Sequence, residues 1–284
     1  MFEASVGGGI PIIRPLCQCL AANYIEGIAG ILNGTTNFIL TMMIEEGMSF
    51  EEALKIAQEK GYAEKDPTAD VEGHDACRKV CILASLAFGK HVYPNQVETE
   101  GITKISLEDV SYIENAGGVI KLLGQIKYIN DNEIAAFVSP AVVYNGSQLA
   151  SVKDVFNAIL VRGDAVGDVC FYGPGAGKLP TASAVVADII DCAKHSDRKK
   201  IFGWGEGSEN YVVDYKEKIE MPFYVRAKAT PNEVNSKFAD VKFLSRKGQP
   251  SDEVAFITDY MTENELNKKL DGMNVINTIK VTNY

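Results

Sequence analysis

Residues 57–79, AQEKGYAEKDPTADVEGHDACRK, run without a break into VCILASLAF. Carboxylates at Glu59, Glu64, Asp66, Asp70 and Asp75 and a closing Lys79 thus stand at the mouth of an almost wholly apolar segment. The pattern predicts a helix over 73–89. A helix this apolar needs a core that surrounds it, and the charges are then held where core meets solvent. Any fold for this chain must build that core.

The composition allows it. The chain has 284 residues, 46% hydrophobic and 23% charged, enough for one large domain or a domain with a small module. EASVGG at 3–8 reads as a strand, IIRPLCQCLAANY as helix-like, IEGIAGILN as a strand and NFILTMMIEEG as a helix. Asn33-Gly34 supplies a turn, with Thr36 or Asn37 as the helix cap. Ser49 and Glu52 form a capping box for a helix that Gly61 ends. A helix at Ser106–Asn115 and strands IKLLGQIKYI and EIAAFVSPAVV follow. SVKDVFNAILV then leads into a strand, a glycine loop and a helix in DVCFYGPGAGKLPTASAVVADIIDCAK.

The basic, polar stretch His195 to Lys200, followed by Gly203, Gly205 and Gly207, marks a composition shift. It divides the chain into a main domain, 1–205, and a tail, 206–284. The tail holds four strands, FYVRAKA, VKFLSRKG, EVAFITDY and VINTIKV, with the helix ENELNKKLDGM between the last two. Strands and helices mix without strict alternation. The fold class is therefore α+β, a mixed sheet covered by helices and followed by a small second domain.

A formal charge of −10 argues against nucleic-acid binding. No apolar run reaches the roughly 18 residues of a membrane span. MFEASVGGG lacks the basic and apolar regions of a signal peptide, which points to the cytoplasm. The spacing of Cys17, Cys19, Cys77, Cys81, Cys170 and Cys192 does not fit zinc, so buried free thiols are expected. His74, His91 and His195 have no partner spacing for a metal and read as structural or surface residues.

Asp75 and Lys79, four apart with the acid first, share one helix face. They read either as a solvated pair or as a proton-transfer site. The apolar Ile82, Leu83 and Leu86 on the same side and the converging acids favour the second. Gly173-Pro-Gly-Ala-Gly177-Lys178 fails the phosphate-loop pattern at Tyr172 and Leu179, and the dinucleotide fingerprint at Pro180. Gly7-Gly8-Gly9 fails at Ile12. The 173–178 loop is either a tight turn or a place where backbone meets a ligand. The carbonyls of Glu3 to Ile10 likewise form either a plain glycine turn or a cation site.

The run from Ala57 to Lys79 resembles the homoserine dehydrogenase signature, A-x3-G-Y-x-E-x-D-P-x2-D-x-x-G-x-D-x3-K, and fills every fixed position. EASVGGGIPI at 3–12, GILNGTTNFIL at 30–40 and GPGAGKLPTASAVVAD at 173–188 also fit, so the resemblance covers residues 2–195. It implies hydride transfer between L-homoserine and L-aspartate 4-semialdehyde with NAD or NADP, a step towards threonine, methionine and isoleucine. It implies Lys79 as the acid/base, with Asp75 beside it binding and orienting substrate. Glu64 would hold the substrate amino group, with Asp70 nearby. Gly61 and Gly177 would touch the cofactor through their backbones. A sodium-type cation would sit at Glu3, Val6, Gly8 and Ile10, largely on main-chain oxygens. A homo-oligomer is implied too.

The tail resembles an ACT module, a βαββαβ amino-acid sensor, which implies a threonine effector. PNEVNSKFAD stands where that module usually has a glycine turn and a long apolar helix. Family members begin with a dinucleotide-binding domain, and these residues open at the segment that enters the catalytic domain. The resemblance therefore implies that the hydride-carrying half lies outside this sequence. The helix Thr181–Lys194 is then expected to leave an apolar patch. The alternative is a stand-alone amino-acid-binding or oligomerisation protein on the same scaffold.

Overall fold

Residues 1–197 and 203–284 are described by the computed structural model. Positions 198–200 of the basic stretch lie outside the described residues. In chain order, β1 (Ile25–Ile31), α1 (Gly34–Glu45), α2 (Phe50–Glu59), α3 (Thr68–Val71) and α4 (His74–Phe88) come first. Then follow β2 (Glu98–Thr99), α5 (Leu107–Asn115), β3 (Gly118–Asn130), β4 (Glu133–Tyr144), β5 (Phe156–Gly163), β6 (Gly167–Pro174) and α6 (Lys178–Lys194). The tail adds α7 (Tyr215–Lys218), β7 (Phe223–Lys228), α8 (Pro231–Lys237), β8 (Val241–Leu244), β9 (Glu253–Thr258), α9 (Glu263–Leu270) and β10 (Asn274–Val281). Capping boxes start α2, α5, α8 and α9, through Ser49–Glu52, Ser106–Asp109, Thr230–Glu233 and Thr262–Glu265.

All ten strands form one mixed sheet, ordered β6-β5-β1-β3-β4-β10-β7-β9-β8, with β2 also on β4. The hairpin β3–β4 is its spine, in register from Gly118 opposite Tyr144 to Asn130 opposite Glu133. The other edge of β4 is shared. β2 pairs in parallel with Phe137 and Val138, and β10 with Ala141 and Val142. α1, α4 and α5 cover one face of the sheet with Phe38, Val80, Leu83 and Ile113 packed on Ile28 and Ile126. On the other face Leu149, Val152 and Tyr284 close over Ala29, Leu123, Ala141 and Leu160.

The tail strands run βαββαβ with the order β10-β7-β9-β8. One face takes Val234 of α8 and Leu266 of α9 against Val225 and Phe256. The other places Tyr224 and Ile279 in the main core beside Tyr112 of α5. Charges are buried at this seam. Asp109, fully buried, lies 2.9 Å from Arg226 Nε. It accepts from the Tyr224 hydroxyl at 2.9 Å and from Asn277 Nδ2 at 2.8 Å. Glu253 accepts from Arg246 and from the Tyr112 hydroxyl, both at 2.9 Å. Burial and the Glu253 carboxylate push the Tyr112 phenol up to about 12.

Several expectations change. EASVGG is not a strand. Glu3–Ser5 is a 3-10 turn, curled because the Glu3 carboxylate accepts the backbone N–H groups of Ile12, Ile13 and Arg14 at 2.7, 2.8 and 3.0 Å. IIRPLCQCLAANY yields only a short π-type helical turn, Pro15–Cys19. The cap of α1 is Asn33, not Thr36 or Asn37: its Oδ1 accepts Thr36 N–H at 2.9 Å. All six cysteines are free, but only Cys77 and Cys81 are buried. Thr181–Lys194, within α6, does leave apolar side chains in solvent, with Ile189 at 62% and Val186 at 50% exposure. Among the described residues no helix is long and apolar enough to cross a membrane.

Removing one partner of a buried ion pair strands the other. Asp109→Ala is expected to cost about 3–5 kcal/mol of stability, read from urea unfolding. A loss under about 1 kcal/mol would show that the seam contributes little.

Candidate active site

α4 begins at Gly73 in the left-handed region, φ 81°, where a Cβ would meet Thr99 at 3.0 Å and Val138 at 3.2 Å. This seats the helix end tightly on β2 and β4. Asp75 lies in its first turn, where the helix dipole favours an anion. One turn on, Lys79 Nζ donates to Asp75 Oδ2 at 2.6 Å and to the Leu32 carbonyl at 2.9 Å. The side chains are 20% and 31% exposed, so this is not a freely solvated pair. The lysine is tied to the backbone of the β1–α1 loop.

Asp70 joins through a residue that the sequence reading placed only in a turn. Asn33 Nδ2 donates to Asp70 Oδ1 at 2.7 Å and to Asp75 Oδ2 at 2.9 Å. Asp70, Asp75 and Lys79 thus form one cluster with Asn33 and Leu32. Glu64 is exposed, and among the described residues its carboxylate makes no hydrogen bond to that cluster. It sits on a loop pinned to α1, where Thr35 Oγ1 donates to the Tyr62 carbonyl at 2.7 Å and Phe38 meets the Tyr62 ring.

The glycine loop divides its residues between packing and access. A Cβ on Gly175 would lie 2.1 Å from the Asn157 side chain, so that glycine is needed for packing. A Cβ on Gly8 would lie 2.3 Å from the Gly175 carbonyl oxygen, which binds the 7–9 turn to the same loop. Gly177, by contrast, is exposed at the start of α6 with φ 118°. Gly61, φ 75°, ends α2 with nothing within 4 Å of where a Cβ would stand. Both can be approached by a ligand. The carbonyl oxygens of Val6, Gly8 and Ile10 accept no hydrogen bond among those of the described residues. That suits a hard cation. The Glu3 carboxylate is already committed to three amides.

A second layer braces the β1–α1 loop. Asn37 Nδ2 contacts the carbonyls of Val152, Asp154 and Phe156. Lys121, 2% exposed, donates to Asn37 Oδ1 at 3.1 Å and to the Val152 carbonyl at 2.5 Å. The signals for these residues were the Asn-Gly dipeptide ending β1 and a lysine inside the apolar run IKLLGQI.

Residues 11–190 match the family described as homoserine dehydrogenase. The chain belongs to the homoserine dehydrogenase family. It is 51% identical over 194 residues to the homoserine dehydrogenase of Synechocystis, a match covering 67% of this chain and 45% of the relative. It is 48% identical over 194 residues to that of Bacillus subtilis, covering 68% and 45%. The chain therefore spans under half the length of these curated relatives. A solved homoserine dehydrogenase from Thiobacillus denitrificans superposes with a TM-score of 0.87 at 36% identity, over 99% of this chain and 69% of that one. One from S. aureus gives 0.77 at 34%, over 92% and 66%. Homoserine dehydrogenases are oxidoreductases that use NAD(P), and the Asp75–Lys79 cluster lies within the matched residues.

Burial pushes the Lys121 ammonium down from 10.5 to about 8. Between about pH 8 and 10 the unfolded chain then binds more protons than the folded one, so stability rises with pH. From about pH 8 to 9.5 the wild type is expected to gain about 1–2 kcal/mol relative to Lys121→Met, measured by urea unfolding. Parallel curves for the two proteins would refute this.

Proposed function

We propose that this chain carries the substrate-binding and proton-transfer part of a homoserine dehydrogenase. It would bind L-homoserine or L-aspartate 4-semialdehyde at Asp70, Asp75 and Lys79. The observation that carries this reading is the Lys79 ammonium held between Asp75 and the Leu32 carbonyl, partly open to solvent. Lys79 has three N–H donors and, among the described residues, two are used, so one is left for a substrate oxygen. An alcohol that loses hydride must also lose its hydroxyl proton: the neutral amine form of Lys79 would take that proton and become the ammonium, and in the reverse direction the ammonium would return it to the developing alkoxide. Asp75 orients that amine. Glu64, on its pinned loop, would receive the substrate ammonium, with Asp70 nearby.

The nicotinamide of NAD or NADP, when bound, accepts or supplies the hydride. Exposed Gly61 and Gly177 suit close backbone approach to that cofactor. Val6, Gly8 and Ile10 offer free carbonyls to a sodium-type cation, with Glu3 fixing the turn that presents them. The bare apolar side of α6 suits docking of a nucleotide-binding domain. We assign residues 1–205 to the catalytic and dimerisation domain and 206–284 to an ACT-like module, in a cytoplasmic homo-oligomer serving threonine, methionine and isoleucine synthesis.

A threonine effector at the tail is favoured by one further feature. A cavity of about 360 Å³ opens between β2, α7 and α9, lined by Glu98, Glu100, Glu263, Lys104, Lys216 and Tyr215. It offers both signs of charge to a zwitterion.

Calorimetry separates the two sites. L-Homoserine is expected to bind the wild type, and Asp75→Asn or Lys79→Met to weaken it about tenfold or more, the worth of one charge-assisted hydrogen bond. Threonine heat should survive both changes and fade in Glu263→Gln. Homoserine binding that ignores both substitutions would rule out the proposed substrate site.

A further inference from the structure

Asn33 is committed at every polar position. Its Oδ1 accepts from Thr36 N–H at 2.9 Å and from Thr36 Oγ1 at 3.1 Å, which caps α1. Its Nδ2 sends one proton to Asp70 Oδ1 and the other to Asp75 Oδ2, at 2.7 and 2.9 Å. A carboxamide has two donors and one acceptor oxygen, so its capacity is filled. The residue is 6% exposed, and solvent scarcely competes.

Two carboxylates held this close repel each other, and a neutral donor between them offsets that without cancelling their charge. Asp75 Oδ2 is shared by Asn33 and Lys79. Asp75 Oδ1 and Asp70 Oδ2 accept no hydrogen bond among those of the described residues. We propose that Asn33 is the positioning residue of the substrate site. Its carboxamide fixes which oxygen of Asp75 faces Lys79, and it leaves one free oxygen on each carboxylate for the substrate's donors. Among the described residues Asp70 has no hydrogen bond to Lys79, and Asn33 links Asp70 to the Asp75 oxygen that the lysine holds. This deepens the substrate-site reading above and rests on it.

The competing account is that Asn33 only caps α1. The two separate cleanly, because serine and aspartate cap helices about as well as asparagine. Asn33→Ser keeps a cap and loses the donors to the carboxylates. Asn33→Asp keeps a cap and turns the donors into a third carboxylate. Both variants should melt within about 2 °C of wild type if capping is all that stability needs there.

The readouts are the NMR resonance of the Lys79 side chain, assigned by its loss in Lys79→Met, and homoserine affinity. The resonance is expected to move in both variants. Affinity is expected to fall about tenfold in Asn33→Ser, with Asn33→Asp moving the lysine signal further. Asp70→Asn supplies a test that leaves the cap untouched: relay through Asn33 should displace the Lys79 signal there too. An unmoved Lys79 resonance in Asp70→Asn and in the folded Asn33 variants would overturn the proposal. A wild type that binds no homoserine would sink the substrate reading, while the lysine signal still decides whether Asn33 positions the cluster.

Discussion

Three glycines allow close approaches around the start of β5, where the β1–α1 loop meets Val155, the glycine loop meets Asn157, and the 7–9 turn meets the glycine loop. A Cβ on Gly34 would lie 2.8 Å from the Val155 carbonyl oxygen, one on Gly175 would strike Asn157, and one on Gly8 would strike Gly175. At Gly34 and Gly8 the neighbour is backbone, which no rotamer change can relieve, and at Gly175 it is the buried Asn157 side chain, so these contacts set close separations. The candidate site inherits its geometry from them. Leu32 and Asn33, which hold Lys79, Asp75 and Asp70, immediately precede Gly34. Behind Val155, Asn37 and Lys121 fasten the neighbouring carbonyls. The polar groups of the site are therefore braced by main-chain packing on one side and by a buried lysine on the other.

The seam with the tail is built differently. There Asp109 serves twice, as the capping-box acid of α5 and as the partner of Arg226 on β7. Desolvating such charges is costly, and their hydrogen bonds must offset that cost, which restricts the tail to one placement. A purely apolar seam would tolerate sliding more easily. The strands β7, β9 and β10 are covered on both faces, by α8 and α9 on one side and by the α5 layer on the other.

Much of this was legible in the sequence, because local signals dominate where they are strong. Ser49–Glu52 capped as expected, the helix expected over Ser106–Asn115 formed as α5, the spine hairpin fell on its two apolar runs, and Asp75 and Lys79 met on one helix face. The failures were long-range. EASVGG has the composition of a strand, but the Glu3 carboxylate curls it by taking three amides from residues 12–14. Thr36 and Asn37 are ordinary caps by type, yet Asn33 won the cap, and Asn37 serves segment 152–156 across more than a hundred residues of chain. The link from Asp70 to Asp75 through Asn33 joins residues that no periodicity connects.

β10 is the final strand along the chain, yet it lies inside the sheet, between β4 and β7. Its Lys280 pairs beside Ala141, a contact that closes only after everything between has been made. During synthesis, part of the β4 edge stays unsatisfied through that interval, with only β2 covering the neighbouring positions. Open strand edges of this kind attract other chains. β7, β9 and β8 reach the sheet through β10, so the docking of β10 both covers this part of the β4 edge and joins the other tail strands to the spine.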